Sequence, residues 1–426
     1  MTAATMALAG GPVLGTPLSL LLLQMLVIII VCRIMAMILG RLGQPRVVAE
    51  ILAGILLGPT ALSRIPAFAH TIFPATSLPA LSLIANIGLI LFIYITSLEL
   101  ELSRMGKQLR QSALISLSGI IIPFGLGAAA SVHIYHVLGD PDVSYTSFML
   151  FIATAMSVTA LPVLARILTE TGCIRTTVGQ VALAAAAVDD VVAWTLMVVV
   201  VAILNNTGQN IFALYVFLVV VGFTAFMWTA VRPLLRVMVL RWGRHKSEGQ
   251  PTVTPILLFT VLVLLLASAW FTESVCGIHA LFGAVIMGVV TPHDYGFAEA
   301  IAERLEDLTT QLFLPLYFAY TGLKTQIGSL STGTAWSVEF LVLSTAIGGK
   351  IIGCTLAGRY APGAPFSWRE SLAIGVLMSN KGLVELVILN IGLEAGVISD
   401  TVFAIMVVMA IVTTMMTQPL IRVIYP

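Results

Sequence analysis

From residue 18 to residue 421 the chain is a succession of apolar runs, most of them about 20 residues long, cut by short polar or Gly/Pro-rich interruptions. One run of that length crosses the ~30 Å hydrocarbon core of a bilayer as a helix. Lipid offers the backbone no hydrogen-bond partner, so helices and closed barrels are the spanning structures available. Composition agrees: 10% of the 426 residues are charged and 59% hydrophobic, where a soluble domain carries about 25% charged residues. The chain is expected to be an all-α polytopic membrane protein. Its net charge of +1 excludes an electrostatic case for nucleic-acid binding, since no basic face or arm is present to neutralise phosphates. The four cysteines, Cys32, Cys173, Cys276 and Cys354, lack metal or disulfide spacing and read as small apolar fillers.

Cutting at the interruptions gives thirteen expected transmembrane helices, at about 18–40, 46–62, 79–98, 109–136, 146–168, 178–204, 211–231, 253–271, 275–291, 308–323, 337–358, 369–393 and 401–421. The first has no basic n-region or small-residue cleavage site and reads as a span, not a signal peptide. With the N-terminus outside or lumenal and the C-terminus cytosolic, 16 basic residues fall on the inner side and two, Arg64 and Lys324, on the outer. That split supports both helix count and direction. The loop 292–307, assigned inside, is acidic, but acidic residues contribute little to the rule. Glu99, Glu101, Arg104, Lys107 and Arg110 read as a solvated loop.

The two halves resemble one another. AGILLGP (53–59) is echoed by GAVIMGVVTP (283–292), FIYITSLEL (92–100) by YFAYTGLKT (317–325), and MSVTALPVL (156–164) by MSNKGLVEL (378–386), in the same order. Helices 1–6 therefore pair with helices 8–13, and the odd helix 7 inverts the second six-helix repeat. Inverted repeats with a site at their interface are the architecture of alternating-access transporters.

A charge at the bilayer centre costs at least ~2.5 kcal/mol on insertion scales, so each such residue needs a partner or a purpose. Helix 6 holds Asp189 and Asp190 near mid-span after the run Ala184–Ala187. Neighbouring helical residues point about 100° apart, so one acid can face a cavity while the other faces a packed helix. Helix 5 carries Thr154, Ser157, Thr159 and Pro162; its repeat mate, helix 12, carries Ser379, Asn380, Lys381, Gly382 and Glu385. Both segments are expected to unwind at mid-depth, leaving freed carbonyls and half-helix ends beside the aspartates. Asn380 and Lys381 belong to that break. Glu385 either ligates an ion directly or offsets the positive ends of the broken helices. Lys350, among glycines in helix 11, is expected to pair with one aspartate. Glu50 and Arg33 lie nearer the inner face and are expected to snorkel as structural residues, while His133 and His279 read as satisfied interface histidines.

These residues carry a resemblance. The motifs QPRVVAEILAGILLGPT (44–60), TIFPATSLPALSLIANIGLILF (71–92), SVTALPVLARIL (157–168), AAVDDVVAW (186–194) and NKGLVELVILNIG (380–392) resemble the monovalent cation:proton antiporter-2 superfamily, in particular the fungal Kha-type potassium/proton antiporters and plant cation/proton exchangers. The resemblance implies a sodium/proton antiporter-like fold with crossed broken helices, and a homodimer. It implies that a core (about 109–204 and 337–421) moves against a scaffold (about 18–98 and 253–323), joined by a connecting helix at about 211–231. By position, Asp190 matches the acid that serves both cation and proton. Asp189 matches the first acid of a double-aspartate motif, Lys350 the lysine that pairs with it, and Ser157 and Thr159 the crossing that lines the ion site. The family's Gly-Leu-Glu after helix 3 reads Ser97-Leu98-Glu99 here.

The expected activity is transport, not enzyme catalysis. Potassium or sodium exchanges for protons at Asp190 and Asp189, with no cofactor and no metal beyond the transported cation, in the service of pH homeostasis at the plasma membrane or an endomembrane such as Golgi, endosome or vacuole. Oxygen ligands from side chains and freed carbonyls suit such cations. If Asp189 or Lys350 also releases a proton, each cycle moves one net charge, worth ~2.3 kcal/mol per 100 mV. A ligand-gated potassium channel of related fold is the main alternative, distinguished by large currents without obligatory proton movement. An intramembrane aspartyl protease needs two acids meeting from different helices, and twin acids would repel an organic anion brought by a symporter.

Overall fold

The structure is a computed structural model that describes residues 16–98, 109–204, 210–242, 244–245, 251–361 and 366–425. The expected loop at Glu99, Glu101, Arg104 and Lys107 lies outside these residues, whereas Arg110, expected in the same loop, is exposed in the first turn of a helix. The helices in chain order are α1 (Pro17–Gly40), α2 (Arg46–Leu57), α3 (Pro66–Ile72), α4 (Leu78–Leu98), α5 (Leu109–Leu138), α6 (Tyr145–Ser157), α7 (Leu161–Glu170), α8 (Thr177–Leu204) and α9 (Asn210–Phe226). They continue as α10 (Arg232–Trp242), α11 (Pro255–Ser274), α12 (Leu281–Val290), α13 (Phe297–Leu308), α14 (Leu314–Lys324), α15 (Gly333–Tyr360), α16 (Trp368–Met378), α17 (Leu383–Glu394) and α18 (Asp400–Ile424). Among the described residues ten helical stretches are long and apolar enough to cross a membrane. Two-residue strands, β1 (Arg244–His245) and β2 (Pro251–Thr252), pair antiparallel beyond α10.

The helices start where side chains can take up orphan backbone donors. Thr16, Thr332 and Ser399 accept from the amides of Ser19, Ala335 and Val402 at α1, α15 and α18, and Ser367 with Glu370 forms a capping box at α16. Burial follows lipid rather than water. On α1 the exposed residues Leu18, Leu22, Leu26, Ile30, Ile34 and Met37 form a helical stripe, while Gln24, Ile28 and Cys32 are buried. An apolar outer face and a more polar inner face are what a helix in a bilayer requires.

Four expected boundaries move. The run 275–291 is helical only from Leu281, because Gly277 (φ +68°) turns the chain out of α11 and the Ile278 amide folds back to the Thr272 carbonyl. Val275, Cys276 and Ile278 are apolar but belong to that turn. The expected connecting helix, 211–231, instead runs from Asn210 to Trp242, passing through a π-helical turn at Met227–Val231. Its arginines ride on helix, not loop, and Arg232 lies 4.0 Å over the Trp228 ring. Likewise the expected span 308–323 begins at Phe297, after Gly296 (φ +73°), and reaches Lys324 through a second π turn at Thr309–Phe313. The acidic stretch placed in a loop is an amphipathic helix, with Glu299, Glu303, Glu306 and Asp307 outward and Phe297, Ala298 and Ile301 inward. The run 46–62 leaves α-helix at Leu57 and ends in a 3₁₀ turn at Leu62–Arg64.

Packing depends on small residues. A Cβ on Gly54 of α2 would strike the backbone of α14 at Ala319, and one on Gly322 of α14 would strike α2 at Ile51. The two backbones thus lie in direct contact, the device by which helices associate without a hydrophobic driving force. On the other side of the molecule α15 lies along α5 and against α16 and α18.

Candidate functional site

Two helical stretches lose their hydrogen-bond ladder partway along, and the two breaks meet. Between α6 and α7 the backbone is extended at Val158 (φ −77°, ψ 146°) and Ala160 (φ −95°, ψ 109°). Pro162 then sits in the first turn of α7, where its missing N–H costs no helical bond. Between α16 and α17 the break covers Ser379–Gly382, and a Cβ on Gly382 would come within 2.6 Å of Val163 and 2.8 Å of Ala160.

Each break supplies partners for backbone groups that a broken helix leaves unpaired. Lys381 donates to the carbonyls of Ala155 (3.0 Å) and Met156 (2.7 Å) at the end of α6. Thr159 Oγ1 donates to the Met378 carbonyl at the end of α16 (2.8 Å). Ser379 Oγ and Asn380 Nδ2 close on the carbonyls of Val376 and Leu377, both at 2.7 Å, and Thr414 of α18 donates to the Lys381 carbonyl at 2.5 Å. Glu385 stands in the first turn of α17, one carboxylate oxygen 3.8 Å from Lys381 Nζ. Ser157 Oγ gives its proton to the Thr154 carbonyl at 2.8 Å.

Helix α8 brings the twin acids to this crossing in unlike environments. Asp189, fully buried, accepts from Lys350 Nζ at 2.7 Å and from Ser116 Oγ at 2.5 Å. Lys350 also donates to Thr159 Oγ1 at 2.6 Å, so one ammonium ties α15, α8 and the break together. Asp190, 2% exposed, accepts from the Leu161 amide at the N-terminus of α7. Its Oδ1 has no hydrogen-bond partner among the described residues. One carboxylate is committed and the other is half free. Ser116 was not singled out from sequence; its signal is Ser112 and Ser116, four residues apart and both buried in an apolar helix.

The expectation that Glu50 snorkels is corrected. Its side chain is buried, at 7% exposure, and lines a cavity of about 430 Å³ between α2, α4, α7 and the α13–α14 segment. The apolar residues before and after it on α2 hold it at that depth. Arg33 is exposed, 3.4 Å from Gln311 Oε1. Its lining includes Pro162 and Val163, which follow the Leu161 whose amide holds Asp190, and the exposed Glu306 and Asp307. At the far end of the same helices α17 is bonded to α14. Asn390 Nδ2 donates to Thr321 Oγ1 (2.9 Å) and Tyr317 Oη (3.2 Å), and Lys324 pairs with Glu394 at 2.9 Å. The void beside these residues is about 10 Å³, room for one water at most. Asn390, Tyr317 and Thr321 were not expected from sequence as a group, although Asn390 is a lone amide in VILNIG.

Comparison with known proteins gives the family. The chain is 42% identical to "Cation/H(+) antiporter 17" of Arabidopsis thaliana over 96% of its own length and 48% of the relative's. It is 36% identical to "K(+)/H(+) antiporter 1" of Saccharomyces cerevisiae over 97% of its length and 47% of the relative's. It thus spans about half the length of these plant and yeast proteins. With "Na(+)/H(+) antiporter NhaS4" of Synechocystis it shares 38% identity over 96% of its length and 98% of the relative's. In fold it is similar to the sodium proton antiporter MjNhaP1 of Methanocaldococcus jannaschii, with TM-score 0.69 and 17% identity, covering 95% of this chain and 96% of that one. The family model described as "Sodium/hydrogen exchanger, transmembrane" matches residues 26–423, and the chain belongs to that family.

Proposed function

We propose that this chain exchanges a monovalent cation, potassium or sodium, for protons by alternating access, with Asp190 as the shared site and Asp189 beside it. The observation that carries this reading is the unpartnered Asp190 Oδ1 next to a fully bonded Asp189. A buried carboxylate has to be neutralised. With Lys350 committed to Asp189, Asp190 is left to a proton or a cation, and the two exclude one another. That exclusion is the coupling an antiporter needs. Ser157, whose proton goes to the Thr154 carbonyl, has lone pairs to offer a cation. Thr159 already accepts from Lys350 and becomes a ligand when that ammonium withdraws. Lys381 against the carbonyl end of α6, and Glu385 in the first turn of α17, fit compensation of the half-helix dipoles, with Asn380 capping α16.

The same reading includes thirteen spans in two inverted repeats. The unit of about 109–204 and 337–421 moves against the unit of about 18–98 and 253–323, joined by the long α9–α10 helix. We assign the Arg46 and Arg166 end to the cytosol from the bias of basic residues, and a homodimer in the plasma membrane or an endomembrane, contributing to pH homeostasis. An aspartyl protease loses support because Asp189 is paired with Lys350 and not with Asp190. A channel loses it because the relatives are named as antiporters. The test is proton flux in proteoliposomes titrated with sodium, potassium, lithium and rubidium at zero and imposed potential. Asp190→Asn is expected to abolish cation-dependent flux; full exchange by that variant overturns the assignment.

A further inference from the structure

We propose that Glu50 forms a second monovalent-cation site, a waiting position in the cavity between water and Asp190; this rests on the exchange reading above. A second cavity of about 260 Å³, reaching Arg33 on α1, shares Arg46, Glu50, Thr310 and Gln311 with the first. Glu50 therefore stands where two water-accessible spaces join. It is more than nine-tenths buried, and among the described residues no hydrogen bond or close ion pair holds its carboxylate. The charges that act on it are Arg46, Arg166 and Arg33. A cation moving from the mouth toward Pro162 passes Arg46 on the cavity wall, whose field repels it.

The other acids of the cavity, Glu306 and Asp307, stand in solvent at the rim, where screening weakens them. Glu50 is the deep carboxylate that offsets part of that positive field. Oxygen ligands are at hand: Thr310 directs its proton to the Glu306 carbonyl, leaving lone pairs, and Gln311, whose Oε1 accepts weakly from Arg33 at 3.4 Å, lines both spaces. Hard cations take oxygen of this kind. An unbonded, deeply set carboxylate within a polar cavity is the geometry of a low-affinity stop, loose enough to pass the ion on. Asp190 continues the route, because Pro162 and Val163 of the cavity wall directly follow Leu161, whose amide bonds Asp190.

The experiment uses the full chain, with radioactive sodium and rubidium as binding probes in detergent and as transport probes in oriented proteoliposomes. Glu50→Gln is expected to remove one bound cation per chain in both the unsubstituted and the Asp190→Asn backgrounds. It is also expected to raise the half-saturating cation concentration about tenfold at the cavity face alone, with the maximal rate and the opposite-face value unchanged. Choline chloride should narrow the difference by screening the arginines, and Glu50→Asp should keep the bound cation. An unchanged cation count, or an equal rise at both faces, overturns the proposal. Should Asp190→Asn retain full exchange, the reading of Asp190 fails, while the cation lost or kept on Glu50→Gln still decides Glu50.

Discussion

The two ends of the helix pair around the breaks are built from similar residues and put to opposite use. At the basic end Glu50, Glu306 and Asp307 are set around about 430 Å³ of space. At the other end Lys324 closes on Glu394, and Asn390 bonds Tyr317 and Thr321 beside a void of about 10 Å³. Charged and amide groups are present at both; what differs is whether they face water or one another. Few contacts therefore hold one end shut. Under the proposed exchange, so few bonds would let the element change which end is open.

The sharpest test of that contrast is reactivity toward a water-soluble thiol reagent. With the four native cysteines replaced by alanine, Val163→Cys in the cavity wall should react roughly a hundredfold faster than Val387→Cys beside the small void, because the latter waits on a minor state populated at about 0.1–10%. Equal rates would break the comparison. Next in size is Asn390→Leu, which removes both bonds to α14. Net hydrogen bonds contribute about 1 kcal/mol each, and Asn390 Oδ1 is itself buried without a partner, so its removal returns part of the loss. Labelling of Val387→Cys should then rise about tenfold, consistent with slightly over one such bond. No change would mean that the amide is not part of a latch.

How far the sequence led differs between these regions for physical reasons. The helix breaks were legible because Pro162 and the Ser379–Gly382 stretch are poor helix interior, and the pairing of Lys350 with an aspartate because an ammonium in lipid needs a counter-charge. Which aspartate it chose was not legible, since that depends on how α15 and α5 face α8; Ser116 shares in the choice and looks like any small residue in a span. Glu50 was misplaced because span counting measures depth along a helix and not the water that enters between helices. The latch was missed because Asn390, Tyr317 and Thr321 come from chain segments some 70 residues apart. The helix at Phe297–Leu308 was read as loop because its acids are spaced to face outward together, a pattern that charge counting hides and periodicity reveals.

The smallest expected effect isolates the ion pair of the latch. Lys324 and Glu394 are 21% and 47% exposed, and Lys324 also lies 4.5 Å over the Tyr320 ring. An exposed pair of this kind contributes about 0.2–1 kcal/mol. Lys324→Gln should therefore raise Val387→Cys labelling about two- to fivefold at low ionic strength. Near 1 M salt, where the screening length falls to ~3 Å, that rise should disappear, whereas the effect of Asn390→Leu, acting through neutral hydrogen bonds, should persist. A salt-independent effect of Lys324→Gln would assign the contribution to packing of its methylene stem on Tyr320 instead of to charge. Combining Lys324→Gln with Glu394→Gln completes the cycle: the double variant should match Lys324→Gln alone if the charges act on each other, and should exceed it if each holds α17 against α14 separately.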